Sequence, residues 1–177
     1  MNLMGATPTD YGELVERVEV ELGCLDGLLH ASAELGIPSP IEYYDVVQLA
    51  KVIQVNLHAP FLLTRACLPL LKRAKDASIV FTSSDVGRRG RAYWGAYGVC
   101  AFAIEGLIQI LGDELESSPH LRVNGVAPGI VRTRLRAAAY PGEDPMSLPE
   151  PEEVMSAYLF LMGKDSHSLN GVVVASY

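Results

Sequence analysis

Residues 81–106, FTSSDVGRRGRAYWGAYGVCAFAIEG, place a serine pair, a glycine-rich loop and a tyrosine in front of a long apolar helical pattern. A serine hydroxyl and a tyrosine phenol facing one small cavity can hydrogen-bond the same carbonyl oxygen and pass it a proton. Tyr97 follows Ser84 by thirteen residues, enough loop to fold the first turn of a helix back over the strand end that carries Ser84. A strand-end serine and a helix-start tyrosine also serve as capping and packing residues, so the pair alone does not settle the chemistry. One turn beyond Tyr97 stands Ala101, where a proton-transfer site would gain from a cation.

The elements that must position these residues alternate along the chain. Thr7-Pro8-Thr9-Asp10 caps a helix carrying Leu14, Val15, Val18 and Leu22 as far as Gly23, and LDGLLHA from Leu25 reads as a buried strand. Residues 45–73 are helical in pattern, with Pro60 expected as a kink and Pro69 near the end. SIVFTSS reads as a second strand, 97–116 as a helix and 121–127 as a third strand. The segment 128–153 holds five of the 11 prolines and reads as a long loop, a lid or flap. A helix over about 151–162 and the strand GVVVAS close the pattern. Such alternation predicts an α/β fold, a doubly wound parallel sheet with helices on both faces and chemistry at the carboxyl ends of its strands. Ser83, Ser84 and residues 124–129 fall at those ends.

Four blocks in their order, LDGLLHASA, IQVNLHAPFLLTRACLPLL, TSSDVGRRGRAYWGAY and RVNGVAPGIVRT, resemble the short-chain dehydrogenase/reductase family, most closely its YciK-type oxidoreductases. The resemblance spans nearly all 177 residues. It implies a Rossmann-type fold, an NAD(P) cofactor and hydride transfer between an alcohol and a ketone. By the same resemblance Ser84 orients the substrate carbonyl, Tyr97 is the general acid/base, Asn56 holds a proton-relay water, and Pro128, Gly129 and Thr133 line the nicotinamide side of the cleft.

The sequence also departs from that pattern. The family's Tyr-x-x-x-Lys reads Tyr97-Gly-Val-Cys-Ala101, removing the ammonium that favours a phenolate and grips the nicotinamide ribose. Its Asn-Asn-Ala-Gly reads His30-Ala31-Ser32-Ala33. His30 could act as a substitute acid, although a lone histidine beside an apolar strand is more often a satisfied core residue. A dinucleotide needs backbone N–H groups at a glycine-rich strand-to-helix turn for its pyrophosphate, and the glycine spacings at 23–27, 87–90 and 125–129 are all wrongly placed for that. By resemblance, NLMGATPTD sits at the end of the family's third strand. Residues 1–177 therefore read as a single truncated domain, a partial Rossmann-type sheet lacking the first two strands and leaving GLLHA as an edge. The expectation is an oxidoreductase by descent, impaired or inactive as the chain stands, without tight NAD(P) binding. The alternative is a non-catalytic oligomerisation or small-ligand-binding module.

Composition sets the partners. The hydrophobic fraction is 49%, the charged fraction 20% and the net charge -7, an acidic balance that argues against a nucleic-acid footprint despite local clusters at Arg88, Arg89, Arg91 and Arg132, Arg134, Arg136. Cys24, Cys67 and Cys100 lack disulfide or zinc spacing and read as buried reduced thiols. No apolar stretch reads as a membrane span, so no membrane partner is expected and the location is read as cytoplasmic. In helix 97–116 two apolar stripes run in parallel: Val99, Cys100, Ala103, Leu107 and Ile110, and Ala101, Ile104, Ile108, Leu111 and Leu115. One stripe covers the sheet. The second would face water unless something packs there, and the family resemblance implies that this helix and helix 45–73 pair with their copies in a homo-oligomer, so Ile108 and Leu111 are expected in that contact.

Overall fold

The computed structural model describes residues 1–176. Four parallel strands lie in the order β1 (Gly27–His30), β2 (Ala77–Thr82), β3 (Leu121–Ala127) and β4 (Val173–Ala175). The apolar run of β3 ends where Pro128 removes the next N–H donor, and all seven of its residues are buried. Parallel strands buried on both faces need helical crossovers, which the intervening segments supply.

Alternation along the strands divides the core between two faces. Ile79, Phe81, Leu121 and Val123 point into a cluster with Cys67, Leu71, Ile104, Ile108 and Leu111 from α3 (Ala59–Leu71) and α4 (Gly95–Glu114). Val80 and Val126 point the other way, onto Tyr158 and Leu161 of α6 (Met155–Met162). The first helix, α1 (Pro8–Leu22), packs on α3 and begins in a capping box in which Thr7 and Asp10 satisfy each other's backbone N–H. Gly23 ends it in a left-handed conformation.

Several expectations are corrected. The kink expected at Pro60 is a widened turn at Gln54–His58, between α2 (Val46–Ile53) and α3, in which the Ala59 N–H reaches back to the Gln54 carbonyl. Pro60 cannot close an ordinary α-turn on the Asn56 carbonyl, and the extra residue in the turn absorbs that missing donor. The segment 128–153 is not structureless: Thr133 caps α5 (Arg134–Ala139) by accepting from the Arg136 N–H at 3.0 Å, and short 3-10 turns follow at Pro145–Ser147 and Pro151–Val154. The last α-helix therefore starts at Met155. Cys67 and Cys100 are buried, but Cys24 is exposed; all three are free thiols.

The stripe expected to face a partner is turned inward. Ile108 is 0% exposed and Leu111, Ile104, Leu115 and Ala101 are buried with it, so this stripe covers the sheet. Val99, Phe102 and Ile110 are the exposed apolar residues of α4. Ile108→Glu would put a carboxylate in the core rather than weaken a contact between copies. Val46–Leu71 and Gly95–Glu114 are long and apolar enough to cross a membrane by length and composition, contrary to the sequence reading. Both pack against the sheet or each other through Val52, Leu71, Cys100 and Ile108, with 22% and 44% of their most apolar windows buried.

Candidate active site

The carboxyl ends of β2 and β3 bring the predicted hydroxyls together. Ser84 follows β2 in extended conformation, just before a 3-10 turn at Asp85–Gly87, and Tyr97 lies in the first turn of α4. Burial raises the pKa of the phenol, the Ser84 hydroxyl beside it lowers it by less, and the Asp85 carboxylate and the Tyr158 phenol raise it further. The net result is a phenol held above its ordinary value of 10, and none of the groups acting on it is a cation. Ser84 also donates to Asp85 Oδ1 at 3.2 Å, and Asp85 is paired with Arg91 at 2.7 Å.

Ala101 lies on the same line of α4, one turn past Tyr97, and is 9% exposed. It is packed on the backbone of Gly87: a Cβ at Gly87 would stand 3.0 Å from the Ala101 carbonyl and 3.2 Å from its Cβ. One further turn along the same line, Glu105 accepts from the Ser83 hydroxyl at 2.8 Å and from Arg88 Nε at 3.2 Å, while Arg88 Nη2 donates to the Val173 carbonyl at 2.7 Å. Arg88 is thus committed to a carboxylate and a carbonyl. The polar line of α4 carries a phenol, a methyl group and a neutralised carboxylate.

The other predicted residues fall around this centre. Asn56 is buried in the widened turn and spends its side chain on Glu34, accepting from its N–H at 2.7 Å and donating to its carbonyl at 2.8 Å. Pro128 and Gly129 follow β3, Gly129 with φ 76°, and Thr133 uses its hydroxyl oxygen as the α5 cap. His30, at the carboxyl end of β1, stacks on Phe81 at 4.6 Å and lies 2.8 Å from Thr64 Oγ1. Burial lowers its pKa to about 4, so it is a neutral, satisfied core histidine at physiological pH. Both basic clusters are largely paired: Arg88 with Glu105, Arg91 with Asp85, Arg132 with Glu150 and Arg136 with Glu143.

Residues not singled out by sequence complete the site. Tyr158, buried on α6, lies 3.1 Å from Thr82 Oγ1 and is near enough to Tyr97 to raise its pKa. Trp94 packs against Tyr97 (5.5 Å between ring centroids) and against Tyr140 (6.1 Å) from the segment after α5. The pairing of Trp94 with Tyr140 joins positions 46 residues apart and has no local signal, whereas the apolar run MSAYLFLM could have flagged Tyr158 as a core phenol needing a partner.

The short chain dehydrogenase family profile matches residues 5–144. The chain belongs to the short-chain dehydrogenase family. It is 44% identical over 172 residues to the uncharacterized oxidoreductase YciK of Escherichia coli K12, covering 97% of this chain and 68% of that protein. A short-chain dehydrogenase structure from Pseudomonas syringae superposes with a TM-score of 0.97 at 52% identity, covering 100% of this chain and 72% of that one. One from Escherichia coli CFT073, solved in complex with NADPH, superposes with a TM-score of 0.96 at 44% identity, covering 99% of this chain and 72% of that one. The Gly23–Gly27 spacing runs from the end of α1 into β1, the reverse of a phosphate cradle, and among the described residues no ammonium stands beside Tyr97.

Proposed function

We propose that this short-chain dehydrogenase-family chain keeps its carboxyl-end cleft as a hydrogen-bonding site for a small carbonyl or hydroxyl ligand, while NAD(P)-dependent alcohol/ketone turnover is impaired or absent as the chain stands. One observation carries the reading: the Tyr97 phenol is pushed up by burial, with the Asp85 carboxylate nearby and Ala101 one turn away. A phenol above 10 donates a hydrogen bond at neutral pH but is a poor base, since a useful general base sits near the working pH. Ser84 and Tyr97 would hold the ligand oxygen; Pro128, Gly129 and Thr133 would border it. Tight NAD(P) binding by this chain alone is not expected. Titration with NADPH, read by nucleotide fluorescence and by ketone-dependent oxidation, tests this; saturable low-micromolar binding with turnover overturns it.

The alternative, an oligomerisation module of the same fold, draws on a separate observation. An apolar groove of about 440 Å³ between the widened turn and α4 is lined by Leu57, His58, Phe61, Ala103, Gly106 and Ile110, with Phe61 and Ile110 exposed. A two-fold contact between copies would cover this face, which replaces the stripe assigned from sequence. The two readings are compatible, because the groove lining includes neither Ser84 nor Tyr97. A cytoplasmic location is part of the same proposal, and it rests on the free thiols of Cys24, Cys67 and Cys100.

A further inference from the structure

The turn before α4 is strained where it presents its aromatic residue. Tyr93 has φ 72°, a left-handed conformation that is unfavourable for a bulky side chain. Two residues later Gly95, at φ 22°, lies so close to the Tyr44 ring that an added Cβ would stand 2.7 Å from its Cε2. Between them, Trp94 is held against Tyr97 on one side and Tyr140 on the other. The interplanar angles are 57° and 45°, so the three rings meet tilted rather than face to face, and each is only partly buried.

The far side of that cluster is fixed independently. The Arg136 guanidinium lies 3.7 Å from the Tyr140 ring centroid, and Glu143 grips Arg136 through two hydrogen bonds of 2.6 and 2.8 Å. This cation–π contact covers one face of Tyr140 and holds the ring toward Trp94. An aromatic wall set by strain and an ion pair, next to the hydroxyls of Ser84 and Tyr97, selects a ligand by a flat π-surface beside an oxygen acceptor.

We propose that Trp94 and Tyr140 are specificity-determining residues of the Tyr97 cleft, and that they select aryl carbonyl compounds over saturated ones of similar size. This rests on the reading of the cleft as a carbonyl-binding site. Trp94 is the only tryptophan in the chain, so its fluorescence reports directly on the wall. Full-length protein titrated with 2-acetonaphthone should show saturable quenching, and cyclohexyl methyl ketone should bind about tenfold more weakly or not at all. Calorimetry with Tyr140→Leu and Trp94→Leu, each checked for native circular dichroism, should show the two ketones binding within about twofold of each other. Equal affinities in the unsubstituted protein, saturable binding of neither ketone, or a preference that survives in a folded variant each overturns the wall. The unsubstituted measurement decides even if both variants fail to fold. NADPH oxidation followed in parallel separates the two ideas: turnover with an intact aryl preference contradicts only the proposed loss of catalysis, and no preference without turnover contradicts only the wall.

Discussion

The two ends of this sheet treat charge in opposite ways. At the amino ends of β2 and β3, Arg122 is 2% exposed, yet its guanidinium is held by Asp76, by the Gly163 carbonyl at 3.2 Å and by His167 Nδ1 at 3.2 Å. The hydrogen bond from Arg122 keeps the Asp76 carboxyl below its ordinary range. At the carboxyl ends, where the family places its chemistry, Tyr97, Tyr158 and His30 are all shifted by burial toward their uncharged forms, and the one carboxylate turned inward there, Glu105, is held by Arg88 and the Ser83 hydroxyl. The fold therefore tolerates a buried cation where it ties β2, β3 and α6 together, and places none beside Tyr97. Burying a charge is affordable only with a partner, so the contrast marks one end as a structural tie and is consistent with the neutral hydrogen bonding proposed for the other.

The largest expected effect comes from breaking the tie. Asp76→Ala leaves the buried Arg122 without its carboxylate and should cost about 3–5 kcal/mol in urea unfolding. A loss under about 1 kcal/mol would mean that the Gly163 carbonyl and His167 suffice to hold the guanidinium.

Acidification sharpens the comparison, because the two ends respond in different pH windows. His30 has a folded pKa of about 4 against 6.5 unfolded, so the unfolded chain binds the extra proton between those values. Stability from its neutral burial is complete above 6.5 and is lost as pH falls toward 4, at most about 3 kcal/mol. Asp76, with a lowered folded pKa, contributes stability above its ordinary 3.8 that is lost only at lower pH. The carboxyl end should therefore weaken first. Unfolding free energies at pH 7, 5.5 and 4.5 should fall steadily, and His30→Phe should flatten that slope; an unchanged slope would contradict the assignment to His30.

A smaller effect on stability separates surface from core. Ile110→Glu should change unfolding by no more than about 0.5 kcal/mol while shifting the mass seen by light scattering from a dimer toward one chain. A monomeric mass in the unsubstituted protein would remove the proposed use of the groove.

Much of this was legible in the sequence. The third strand, 121–127, has the bounds of β3, since its apolar run stops at Pro128 and nothing competes with it. Ser84 and Tyr97 come together as the strand-end and helix-start reading required. What sequence could not give was the orientation of α4, whose two stripes are equally apolar; the sheet beneath Ile108 and Leu111 chooses between them. Helix α5 was hidden among prolines, although Thr133 before RLRAAA is a capping signal followed by good helix formers. The direction of the Tyr97 shift needed the structure, because burial and the Asp85 carboxylate are tertiary facts.

The smallest perturbation bears on the central claim. Ala101→Lys would place an ammonium one turn from Tyr97 and also one turn from Glu105, so it should lower the phenol's pKa, shared in part with that carboxylate, without producing ketone turnover. The direct measurement is the titration of Tyr97 itself by NMR of protein labelled with 13Cζ-tyrosine, the signal assigned by its loss in Tyr97→Phe. A Tyr97 resonance that titrates at higher pH than an ordinary tyrosine is the predicted result; a phenolate forming between pH 7 and 8 would contradict the account and restore Tyr97 as a general base.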